Sequence, residues 1–188
     1  AEILFGKINP SGKLPLTIPR SVGQLQMVYN HKPTAYIHKY NTEKKKPLHP
    51  FGFGLSYANF KFAEPTVSKT TFAGIDDEIT VSVEVTNTSK IDGEEVVQLY
   101  IRDNISSYTR PVKELKGYKR ILVKAGETKT VEITITAESL AMYDRDFNFV
   151  VEPGEFTIMT GNASTDKHLK TTTISVDKEI MLDKNNKL

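Results

Sequence analysis

Carboxylates are the side chains of this sequence best suited by type to acid–base or nucleophilic work, which needs two carboxyl groups converging on one point. Their spacing gives them no common target. They fall in turn-forming runs (Asp76, Asp77, Glu78; Asp92, Glu94, Glu95) or on the outward face of alternating segments (Glu84, Glu132), where surface charge serves solubility. Asp144-Arg145-Asp146-Phe147-Asn148 imitates the start of a calcium loop, with Glu155 in the twelfth place. Such a loop needs a glycine at its sixth position and a helix on each side. Phe149 stands there instead, so the stretch reads as a hairpin turn whose carboxylates cap backbone donors. His31, His38, His49 and His168 lack the i, i+4 helical pairing and the acidic neighbours of a metal site, and are read as surface or packing residues. Gly52-Phe53-Gly54-Leu55-Ser56 fits neither a phosphate loop nor a nucleophile elbow. Its glycines are expected to let the backbone pass close to an aromatic layer of Phe51, Phe53, Tyr57 and Phe60. Asn87, Asn104 and Asn162 each begin an N-x-S sequon, which has meaning only in a glycosylating host. The reading therefore assigns no catalytic residue, no metal ligand and no cofactor-binding residue.

The elements that would have to position any chemistry change character along the chain. Ala1 to Gly6 reads as the last turn of a helix, with Gly6 after the C-cap. This start, without initiator Met or signal-peptide pattern, is taken as a piece of a longer polypeptide. Leu14, Leu16 and Ile18 alternate, but Pro15 and Pro19 remove ladder donors, so Lys13 to Pro19 is an edge strand at best. Residues 20–50 show no sustained period and read as a long loop, a length that is usually functional or held by a neighbour. From Phe60 the period becomes two. Ile79, Val81, Val83 and Val85 face one way, and Val97, Leu99 and Ile101, then Val131, Ile133 and Ile135, repeat the pattern. Lys116–Val123, Phe149–Val151, Phe156–Thr160 and Thr171–Val176 add further strands, with a short helical turn at Leu140–Tyr143 and a polar tail from Asp177 to Leu188.

Seven or eight short strands with no helices between them predict an all-β fold, an antiparallel β-sandwich of the immunoglobulin or fibronectin type III kind with an irregular N-terminal arm. The 188 residues suffice for one such core plus an appendage, with 26% charged and 38% hydrophobic residues. No apolar run approaches a membrane span. A net charge of +2 is too small for a nucleic-acid footprint, and Lys44-Lys45-Lys46, between Glu43 and Pro47, reads as a solvated loop. Absence of cysteine removes disulfides and thiolate chemistry and leaves the compartment open.

Three stretches carry a family resemblance: Asn9-Pro10-Ser11-Gly12-Lys13-Leu14-Pro15, Pro50-Phe51-Gly52-Phe53-Gly54-Leu55-Ser56-Tyr57, and Arg110-Pro111-Val112-Lys113-Glu114-Leu115-Lys116-Gly117-Tyr118. Together they resemble the C-terminal end of a glycoside hydrolase family 3 enzyme, the β-glucosidase and β-xylosidase group. The resemblance extends through Thr17–Arg20, Gly93–Tyr100, Ala125–Thr130 and Val151–Gly161. It implies that residues 1–60 are the remnant of a preceding α/β domain plus a junction loop, and residues 61–188 a fibronectin type III-like domain. It places the nucleophile and the acid/base upstream, maps no catalytic position onto this chain, and implies a bacterial, periplasmic or extracellular parent that hydrolyses terminal β-glycosidic bonds. The expected partners are the upstream catalytic domains of the same polypeptide, which the sandwich would brace, or a second copy through the orphaned arm; neither nucleic acid nor membrane is expected. Leu14, Leu16 and Ile18 should then pack on the sandwich or on that copy. The alternative, an autonomous carbohydrate- or protein-binding module, needs an exposed aromatic platform such as Tyr36, Tyr40 or Tyr108.

Overall fold

The computed structural model describes residues 1–24, 27–33 and 44–183. Strands begin at Phe60: β1 (Phe60–Phe62), β2 (Thr66–Val67), β3 (Thr71–Phe72), β4 (Glu78–Asn87), β5 (Gly93–Asp103), β6 (Glu114–Val123) and β7 (Thr128–Thr136). A helical turn, α1 (Ala137–Leu140), precedes β8 (Met142–Tyr143), β9 (Phe149–Val151), β10 (Gly154–Gly161), β11 (Leu169–Val176) and β12 (Ile180–Asp183). The strong alternations all became strands because each buries one face: Ile79, Val81, Val83 and Val85 of β4 are buried, while Thr80, Ser82 and Glu84 between them are not.

One sheet joins β4 to β7 along one edge and to β1 and β2 along the other. The second runs β3-β11-β10-β5-β6, and a small third sheet, β12-β9-β8, closes one end. The chain before β4 supplies both main sheets. Glu64-Pro65 interrupts the ladder after β1, β2 pairs with β4, and β3 then crosses to lie parallel to β11, the device by which a strand turns a sandwich corner. That division is why more strands exist than the seven or eight read from periodicity. Between the main sheets, Ile79, Val81 and Ile135 meet Leu99, Ile101, Phe156, Ile158 and Ile174 in one cluster. Val83, Val85, Val97 and Val131 form a second. Full burial contributes about 1.5 to 3 kcal/mol for each such side chain.

Two expectations about local structure are corrected. The helical turn lies at Ala137–Leu140, capped by Thr136 and Ser139, and Met142–Tyr143 is already a strand. The segment after Asp177 is not all polar tail: Ile180 is buried in the main core and pairs with Val151. Three apolar residues behind Asp177-Lys178-Glu179 gave too short a period to recognise. The opening turn is as expected, with Gly6 at φ 75° and its N–H donating to Ile3 O.

Candidate functional site

Alternation fixes which side chains of β5 and β10 point away from the core, and in this chain those side chains are buried too. Val97 through Ile101 are five consecutive buried residues, so the sheet is covered on both faces there. Tyr100, Met159 and Leu169 form a separate outer cluster with Tyr29, Phe51 and Leu115. The arm supplies the cover. Tyr29 stacks on Phe51 with ring centroids 4.2 Å apart and meets Tyr100 edge-on at 5.8 Å. Tyr29 Oη accepts the Leu115 N–H at 3.2 Å. Tyr100 Oη donates to Gln98 Oε1, and Gln98 Nε2 donates to the carbonyls of Gly52 and Asn162, each at 3.0 Å. Burial, with a smaller effect of Tyr29, pushes the Tyr100 hydroxyl well above its usual range, so it stays a donor. At Gly52, φ is 77° and a Cβ would overlap Gln98 Oε1, so two independent constraints require glycine.

The second fastening is electrostatic. Lys13 Nζ lies 2.6 Å from Glu95 Oε1, with the side chains 12% and 3% exposed. Glu95 Oε1 also accepts the Val96 N–H at 2.7 Å, and Oε2 accepts Asn162 Nδ2–H at 3.2 Å. Glu95 was expected to be a surface charge in a turn. It belongs to β5 and is buried, because the arm brings an ammonium to it. His168 sits nearby, its pKa lowered first by burial and then by the cations of Lys167 and Lys13, against the opposing pull of Glu95.

Backbone contacts complete the seam. Leu14 N–H donates to Phe53 O at 2.9 Å and Gly52 N–H to Leu14 O at 2.8 Å; Ile18 forms a bridge with His49. Asn9 Oδ1 accepts the Tyr57 N–H at 2.7 Å. Arg20 Nε donates to Lys46 O and Gln24 Nε2 to Lys44 O. On the sandwich side, Ser164 N–H donates to Phe51 O at 3.0 Å, and Lys113 donates to Ser164 O at 3.0 Å and to Asp166. The arm is therefore held, but not as a strand on the sandwich: Leu14 and Ile18 are half-buried through pairing with residues 48–53, and Leu16 is exposed. The single aromatic layer is also corrected. Phe51 joins Tyr29 and Tyr100, Phe53 stacks on His49 at 5.0 Å, Tyr57 is exposed, and Phe60 packs in the second core cluster.

The remaining candidates have structural partners. Asp144 accepts the N–H groups of Asp146 and Asn148 and the Asn148 side chain, which hold its carboxyl below the usual range. Asn87 is buried and donates to Ile91 O and Val123 O; Asn104 donates to Glu155, and Asn162 to Glu95. His31 is exposed beside Lys32 O, while His38, Tyr36 and Tyr40 lie outside the described residues. Tyr108 lies under the Arg145 guanidinium at 5.8 Å. Asp103 is raised above the usual carboxyl range by burial, lowered by Arg110 and raised again by Glu152, but Glu152 Oε2 is occupied by Ser106 and Ser107. Among the described residues no group of three His, Asp or Glu could hold a metal ion. Sequence reasoning missed Lys13, Glu95, Gln98 and Tyr29. The signal available was a polar residue and an aromatic, Gln98 and Tyr100, on the face that alternation assigns to solvent.

What the fold and seam define is a fibronectin type III-like sandwich that carries a docked arm on the outer face of its larger sheet. Residues 95–164 match the fibronectin type III-like domain, and residues 1–57 match the glycosyl hydrolase family 3 C-terminal domain. The chain carries the C-terminal part of a glycoside hydrolase family 3 sequence of the β-glucosidase and β-xylosidase type. It is 46% identical over 179 residues to a β-xylosidase of Formosa agariphila, covering 94% of this chain and 25% of that protein. It is 44% identical over 171 residues to a periplasmic β-glucosidase of Salmonella typhimurium, covering 86% and 22%. A solved β-glucosidase from Erythrobacter marinus superposes with a TM-score of 0.88 at 44% identity, over 94% of this chain and 23% of that one. The chain thus spans about a quarter of the length of these relatives, and corresponds to the C-terminal part of a longer polypeptide. No described helix is long and apolar enough to cross a membrane.

Proposed function

We propose that this chain is the non-catalytic brace of a longer glycoside hydrolase that removes terminal sugars by cleaving β-glycosidic bonds. Residues 1–60 are the end of an upstream α/β domain with its junction, and residues 61–188 are the sandwich. No residue of this chain serves as nucleophile, acid/base, metal ligand or cofactor ligand, and the partner is the upstream region of the same polypeptide. One observation carries the reading. The arm's inner side is fastened to β5 and β10, while Leu4, Phe5, Val22 and Leu55 on the arm are 73% to 91% exposed, large apolar side chains that an upstream domain would cover. A periplasmic location is supported by the name of the Salmonella relative.

The test is assembly in trans. The upstream polypeptide, made separately, should form a complex with this chain that survives gel filtration, and Phe5→Asp with Val22→Asp should abolish it. Retention of the complex by the doubly charged variant would count against the arm as the docking face.

A further inference from the structure

Beyond the covered Tyr100, the outer face of the larger sheet continues into a cavity of about 860 Å³ between the sheet and the segments around Val28 and Pro47. That volume is in the range of small-molecule sites. Its walls are strongly unbalanced in charge: Arg102, Lys113, Lys167, Lys45 and Lys46 line it, and among the described residues the one acid is Asp166. Lys113 is the anchor. It is 8% exposed, and its ammonium makes two described hydrogen bonds, to Ser164 O and to Asp166, out of a capacity of three. The Asp166 carboxylate is 95% exposed, so solvent screening leaves it a weak counterion for a nearly buried cation. Arg102 follows Ile101, and Lys113 precedes Glu114, at the last pair of the β5–β6 ladder. Arg102 pairs with Thr157 on the other side. Two cations therefore share one end of the sheet, with the apolar surface of Val28 and Met159 beside them; the Thr157 hydroxyl donates to Asn104 Oδ1, and the buried lining hydroxyls with no hydrogen-bond partner among the described residues are those of Thr17 and Thr165.

We infer that this cavity binds an acidic sugar, its carboxylate held by Lys113 and Arg102 and its ring by the threonine hydroxyls and apolar wall. The charge excess selects the anion, because a charge-assisted hydrogen bond is roughly twice as strong as a neutral one. The mixed hydroxyl and apolar lining selects a sugar over a bare inorganic ion. The cavity shares Tyr29, Lys113 and Met159 with the seam, and binding there needs no hydrolytic activity.

Isothermal titration of the 188-residue chain tests it with three probes: a glucuronate-containing disaccharide, the neutral disaccharide with hydroxymethyl in place of the carboxylate, and inorganic sulfate. The acidic disaccharide should bind saturably and weaken with added salt, and the neutral one should bind about tenfold or more weakly. Arg102→Gln, an exposed position whose loss should leave the melting temperature unchanged, should weaken the acidic sugar similarly. Lys113→Gln should abolish binding while the circular dichroism spectrum stays that of the parent chain. Equal affinity for the two disaccharides, sulfate binding as tightly as the sugar, undiminished binding by Arg102→Gln, or no saturable binding at all would each overturn the inference.

Discussion

Lys13 and Glu95 form a buried ion pair, 2.6 Å between Nζ and Oε1, across 82 residues of sequence. It joins the arm to the sandwich near the start of β5. Removing one partner of such a pair leaves a buried charge unmatched, at a cost on the order of 3 kcal/mol. Lys13→Met and Glu95→Gln should each lower the urea midpoint accordingly, and the double variant should be no worse than the worse single one. Strict additivity would show that the two groups are not coupled.

Gly52→Ala should destabilise by more than about 1 kcal/mol, because alanine resists positive φ and its methyl would displace Gln98. In a Gln98→Ala background the same substitution should cost less, as the steric part of the penalty disappears. Unfolding curves of the four chains measure this directly.

Tyr29→Phe removes only the acceptor for the Leu115 N–H and should cost about 1 kcal/mol. Tyr29→Ala also removes the stack on Phe51 and should cost more. Amide exchange at Leu115 should accelerate in Tyr29→Phe while the core amides of β4 keep their protection.

His168 gives a pH dependence of known sign. Its folded pKa lies below its unfolded value, so the folded chain prefers the neutral ring. The contribution is fully present above the unfolded value, about 6.5, and is lost as the pH falls through the folded value. Melting temperature should therefore drop on acidification below about pH 6.5, and His168→Gln should remove that component. An unchanged slope in His168→Gln would assign it elsewhere.

Val83→Asp places a charge at a buried position between the sheets and should abolish cooperative unfolding. Glu84→Lys, one residue on and exposed, should stay within about 0.5 kcal/mol of the parent chain. Circular dichroism melts separate the two outcomes.

The sandwich was legible because its central strands bury one face and show it: Ile79 to Val85 and Val131 to Ile135 alternate as a half-buried sheet must. The short pieces were not, since Thr66–Val67 and Thr71–Phe72 are too brief to carry a period and owe their existence to partners on β4 and β11. The seam was the least readable part. Alternation put Gln98 and Tyr100 in water and the turn reading put Glu95 there, and only a distant segment, carrying Lys13, Tyr29 and Phe51, reverses both. The resemblance of Pro50–Tyr57 to family 3 indicated a junction, while the contacts that make it one are non-local and are written in no single stretch.

Hydrolysis of an aryl β-glucoside and an aryl β-xyloside by the purified 188-residue chain is the most direct measurement of whether this is a brace rather than an enzyme. Release of the phenol at the buffer rate is expected for both substrates. Saturable turnover that co-purifies with the chain and disappears with a single carboxylate substitution would contradict it.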